Sequence, residues 1–101
     1  MASLSRVLAI GRPTVDRTLP DYQAILPREA QASLRLYLDG KLDQYWSCPD
    51  LPGVAHLVNA ETIEDARAII EQLPLVSAGK MAFEYMVLAP LSSFKQLIHP
   101  V

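Results

Sequence analysis

"TIEDARAIIEQLPLVSAGKMAFEYMVLAP", residues 62 to 90, is the stretch whose reading decides the fold. It opens on Thr62, with Asp65 three positions later, the spacing of a capping box at a helix N-terminus. Ile63, Ala66, Ile70 and Leu73 recur at steps of three and four and make one apolar face. Glu64, Arg67 and Glu71 make the opposite, wet face. The spacing predicts a helix that stops at Pro74. From Met81 the apolar and aromatic run reads as a strand. Between the two, Leu75 and Val76 keep the connection apolar until Gly79, although connections are usually polar because they run over the surface. Both side chains are expected to be largely buried while lying outside regular structure.

Working outward, "VAHLVNA" (54–60) reads as a strand and "PDLPG" (49–53) as a turn cluster. "LDQYWSC" (42–48) is an aromatic-rich strand, so the two strands should form a hairpin. Gly40 is a plausible stop for a preceding helix. That helix is expected to begin near Pro20, whose fixed φ and missing N–H suit a first helical position. Tyr22, Leu26, Ala30, Leu34, Tyr37 and Leu38 fall on one stripe, and Pro27 is expected to kink the helix or start a second one. "LSRVLAIG" (4–11) is the first strand, followed by a polar loop.

The resulting order is β-α-β-β-α-β. This is the split-βαβ, ferredoxin-like plan of the α+β class: a four-stranded antiparallel sheet with two helices on one face, here as one domain spanning residues 1–101. The last strand is apolar at both parities. Met81, Phe83, Tyr85 and Val87 point one way, Met86 and Leu88 the other. In the third strand Val54 and Val58 oppose Ala55 and Leu57. A strand apolar on two faces needs cover on both. The simplest cover is a second copy of the same sheet, so the chain is expected to form a homodimer.

Composition narrows the function classes. The chain has 101 residues and a net charge of -2, with 50% hydrophobic and 20% charged residues. The acidic balance, with a sequence pI near 5.5, argues against nucleic acid as a partner. The single Cys48 cannot form an internal disulfide, which favours a reducing compartment. The apolar run in "MASLSRVLAIGRP" is too short for a signal-peptide core, and nothing approaches a membrane-spanning length. The expectation is a cytoplasmic protein with no membrane partner. Two histidines and one cysteine at no ligand spacing argue against a structural zinc site, and four unclustered glycines argue against a phosphate-binding loop. Cys48 is read as a buried thiol, and Ser92 and Ser93 as a tail turn.

"GKLDQYWSCPDLPGVAHLVNAETIEDARAIIEQLPLVSAGKMAFEYMVLAPLSSF" resembles the muconolactone isomerase-like group of dimeric α+β barrel proteins. The features run in order: Gly40, the strand with Tyr45 and Trp46, the strand from Val54, the acid-opened helix, "LPLV-x-AG" (73–79) and "FEYMVLAPL" (83–91). The likeness covers about the last two-thirds of the chain well and the first helix loosely. It implies a homodimer whose sheets pack together and whose ligand clefts lie among sheet, helices and connections. Enzymes of the group act on small molecules without an organic cofactor, by lactone isomerisation, cyclisation, oxygenation of electron-rich aromatics or dehalogenation. The tail after Pro90 departs from that of the isomerase itself.

His56 and Glu84 are the candidate catalytic groups. Imidazole near its ordinary pKa is a natural proton shuttle, though a strand histidine can also be satisfied structurally. A carboxylate in an apolar strand has a raised pKa if desolvated, or pairs at an interface. Arg6 either pairs with Glu84 or holds a substrate carboxylate. Tyr22, Tyr45 and Trp46 are candidate walls of a substrate site, and Tyr45 and Trp46 must point to opposite faces. The leading expectation is cofactor-free isomerase- or cyclase-type proton transfer on a small apolar ring or lactone. The alternatives are a non-catalytic ligand-binding or assembly module, or a cofactor-independent oxygenase of an aromatic substrate. The pocket is expected between the sheet and the first helix, with His56 or Glu84 reaching into it.

Overall fold

A computed structural model describes residues 5–91, so Ser92 and Ser93 lie outside the described residues. The chain runs β1 (Arg6–Pro13), α1 (Pro20–Leu38), β2 (Leu42–Ser47), β3 (Val54–Val58), α2 (Ile63–Ile70), α3 (Pro74–Ser77) and β4 (Met81–Leu88). The strands form one antiparallel sheet in the order β2-β3-β1-β4. This is an α+β architecture compatible with the ferredoxin-like plan. No helix among the described residues is long and apolar enough to cross a membrane.

The helix-facing side of the sheet carries the core. Val7 and Ala9 from β1, Leu42 from β2 and Val58 from β3 pack with Leu36, Ala66, Ile70 and Leu73. Thr62 caps α2 as its spacing requires, its Oγ1 accepting from the Asp65 N–H at 3.1 Å. Ala66 and Ile70 of α2 are fully buried, as the apolar face requires. Alternation then sends Leu8, Ile10, Ala55 and Leu57 to the other face, half-buried, with Met86 56% and Trp46 49% exposed beside them. That face is largely apolar, and no helix of the described residues lies over it.

Two expectations about helices need correcting. The first helix runs unbroken through Pro27, so the proline neither divides it nor starts a second one. Its buried residues are Tyr22, Ile25, Ser33 and Leu36, while Leu26, Leu34, Tyr37 and Leu38 are exposed. Only Tyr22 of the expected stripe faces the core. The helix is rotated relative to that reading because its inward stripe carries polar residues, Glu29 and Ser33, which hydropathy alone assigns to solvent.

The apolar connection is also more ordered than expected. Residues 74–77 form one turn of helix, α3, and Leu75 is buried while Val76 is only half-buried. The turn ends in a Schellman motif: Gly79 N–H reaches Val76 C=O and Lys80 N–H reaches Leu75 C=O, both at 2.9 Å. Gly79 supplies the positive φ, 71°, that this ending needs. Thr14 then ties the segment to the end of β1, donating from Oγ1 to Gly79 C=O at 2.7 Å. The cover for Leu75 is the domain body itself, namely Tyr22, Ile25 and Met81.

Candidate functional site

Residues of β2 and β3 form the floor of a cleft on the helix side of the sheet. Beside them, past Val7, β1 presents Ala9 and Gly11 to the larger residues of β3 and β4. A Cβ at Gly11 would sit 2.5 Å from the Phe83 ring, so the ring lies over bare backbone. His56, opposite Ala9, stacks on Phe83 with ring centroids 5.5 Å apart and meets Tyr45 edge-on at 6.0 Å. Tyr37 of α1 closes the row against Tyr45 at 5.8 Å. Above this floor, Tyr22, Leu26, Glu29 and Ser33 of α1 form the facing wall, and Leu75 and Met81 close one end. The cleft has a volume of about 420 Å³, within the range of small-molecule sites.

Two polar groups converge on it. His56 is 3% exposed, and neither ring nitrogen has a hydrogen-bond partner among the described residues. Desolvation pushes its pKa below the ordinary imidazole value, against a smaller upward pull from the Ala55 backbone that falls short of a well-formed hydrogen bond. At neutral pH the ring is therefore uncharged and offers one N–H donor and one acceptor nitrogen. Glu29 is half-buried in the opposite wall. Its Oε1 accepts from the Leu75 N–H at 2.9 Å, satisfying a donor that the first turn of α3 leaves over. Desolvation raises its pKa, and the hydrogen bond from Leu75 lowers it by less. Desolvation likewise raises the pKa of Tyr22.

The cleft lies between the sheet and α1, and three of the sequence candidates line it: His56, Tyr22 and Tyr45. Trp46 contributes to the rim, but it pairs with Ala55, so alternation turns its ring to the other face. Glu84 does not reach the cleft. It pairs with Ile10, one position out of phase with Ala9 and His56, and is exposed on the helix-free face. Arg6 is also outside, and its carboxylate partner is not Glu84: its Nε donates to Asp43 Oδ2, beside the bulge at the start of β2. Cys48 is half-buried after β2, not fully buried as read from the sequence.

Glu29 and Ser33 are functional candidates that sequence reasoning misses. Tyr22, Ile25, Glu29, Ser33 and Leu36 follow steps of three and four as regularly as the more apolar stripe does. A helix with two such stripes, one broken by a carboxylate, is the available signal. Among the described residues no group of three or more His, Cys, Asp or Glu side chains is placed to hold a metal ion. No protein-family model matches the chain, and no curated protein matches it significantly.

Proposed function

We propose that the chain binds a small, mostly apolar ring molecule in this cleft and moves a proton on it without an organic cofactor, as an isomerase or cyclase does. The observation that carries the reading is His56: a deeply buried imidazole with both nitrogens unpartnered among the described residues, at the floor of an apolar cleft whose opposite wall holds a carboxylate. Leaving such a group buried and unpaired costs roughly 1–3 kcal/mol, so a functional use is the economical explanation.

Glu29 takes the part of the base. Its desolvation makes the carboxylate more basic than one in water, which suits removal of a proton from carbon next to a carbonyl. The electron pair moves into the carbonyl, and the neutral His56 N–H donates a hydrogen bond to the enolate oxygen that forms. The Glu29 carboxylic acid returns the proton at another carbon of the conjugated system. A double bond has moved, and no co-reactant is consumed. A second copy of the chain covers the apolar helix-free face, giving a homodimer whose clefts lie on the outer side of each sheet.

The test works with model compounds in place of the natural substrate. The protein is incubated in D2O with a simple butenolide and with a cyclic ketone, and hydrogen–deuterium exchange beside the carbonyl is followed by NMR. Wild type should accelerate exchange, and Glu29→Gln and His56→Ala should each reduce that acceleration by about 100-fold or more. Unchanged exchange in both variants overturns the acid–base assignment. Binding of the probes without exchange in wild type would leave the non-catalytic ligand-binding module as the better reading.

A further inference from the structure

Resting on the same cleft, we infer that its ligand carries no carboxylate and instead presents an O–H or N–H donor from a non-anionic ring to Glu29. Wall and floor are built from aromatic, aliphatic and small polar side chains around Glu29 and His56, and among the described residues no lining side chain is an arginine or lysine. Among the described lining side chains the one formal charge is the Glu29 carboxylate.

That carboxylate has no counter-ion among the described lining residues. The influences on it are desolvation and the Leu75 N–H, with no charged side chain among them. Nor does any charged group among the described residues act on His56. Arg17 acts on Tyr22 from an adjoining groove, which shares Tyr22 and Leu26 with the cleft. That groove holds Asp16 and Thr18 beside the guanidinium, so the cation sits outside the cleft lining next to a carboxylate of its own. Arg6, which could have held a substrate carboxylate, is tied to Asp43 away from the cleft. An anionic ligand would thus meet an uncompensated like charge across a cleft of low polarity, where Coulomb interactions are poorly screened.

A donor group satisfies the same geometry. Glu29 Oε1 is engaged by Leu75, which leaves Oε2 as an acceptor on a side chain that lines the cleft. A hydroxyl or amine on the ligand would be received there on one lone pair of Oε2, the other remaining open toward the C–H that the base removes. The acceptor or donor nitrogen of His56 fixes the ring's other polar edge. Tyr22 and Tyr45 supply faces for the ring, and for an amine they add cation–π attraction. Lactones and ring compounds bearing a free carboxylate are excluded by the same charge.

The experiment uses three probes of one shape: 2-naphthylmethanol, 2-naphthylmethylamine and 2-naphthoate. Each is titrated into the full chain while backbone amide shifts at Val54, His56 and Leu75 are followed by NMR. The alcohol or the amine should bind in the cleft, and the naphthoate at least about tenfold more weakly. The stronger of the first two identifies whether the donor is neutral or cationic. Glu29→Gln keeps an oxygen for the Leu75 N–H while removing the charge, and it should close most of the gap between naphthoate and alcohol. Naphthoate binding as tightly as the alcohol in wild type overturns the inference while leaving the cleft as a binding site. Absence of shifts at all three residues with every probe overturns both.

Discussion

Leu75→Ala removes the side chain that holds the 71–80 segment onto the domain. Leu75 is 2% exposed and packs with Tyr22, Ile25 and Met81. Truncation deletes three carbons, roughly 2.4 kcal/mol at about 0.8 kcal/mol per buried methylene. A closed void would add about 24 cal/mol per Å³. Here the void opens into the cleft that Leu75 borders, so that penalty is small. The expected loss is about 2–3 kcal/mol, and for a domain of this size roughly 10–20 °C in Tm. The assay is thermal unfolding by circular dichroism at one fixed protein concentration, because oligomerisation makes Tm concentration-dependent. Leu38→Ala is the control: Leu38 is 73% exposed, and its truncation should stay within about 0.5 kcal/mol of wild type. A Leu75→Ala protein melting within about 3 °C of wild type would refute the account of the segment as an anchored turn.

Glu29 has a folded-state pKa raised above its unfolded value, so the native state binds more protons between those two values and stability falls as pH rises through that window. Glu29→Gln should abolish this decline and raise Tm at pH 7, read from melts in a pH series. His56 has a lowered folded pKa, so its contribution is full above the unfolded value near 6.5 and is lost as pH falls toward the folded one; His56→Gln should flatten that acid limb. Gly11→Ala drives a methyl into the Phe83 ring and should cost about 1–3 kcal/mol while shifting the His56 ring resonances, because Phe83 stacks on His56. Gly79→Ala, where nothing lies within 4 Å of the new Cβ, should cost about 1–2 kcal/mol through positive φ alone and leave those resonances in place. Met86→Lys puts a charge on the helix-free face and should convert the proposed dimer to monomer by light scattering, without changing the cleft's ring shifts.

The order of elements is legible because each long element carries its own period. α2 shows it most plainly, with Thr62 and Asp65 at its start and an apolar face of Ile63, Ala66 and Ile70. Strand parity is equally local: it places His56 with Val54 and Val58, and Glu84 with Met86 and Leu88, from spacing alone. That these two groups stand on opposite sides of one sheet follows only when β1 joins their strands, with Ala9 against His56 and Ile10 against Glu84. The inward stripe of α1 is beyond a hydropathy reading. Two stripes fit its period, and the one the fold turns inward contains Glu29, whose carboxyl is drawn in by an N–H on α3, 46 residues away. α3 itself, with four residues, is too short to show any period. The sequence by itself determined the βαββαβ order and the caps, because these rest on interactions within a few residues. Tertiary structure alone decided which polar groups face each other across the cleft, because a buried carboxylate and an unpaired imidazole acquire their environment only from distant parts of the chain.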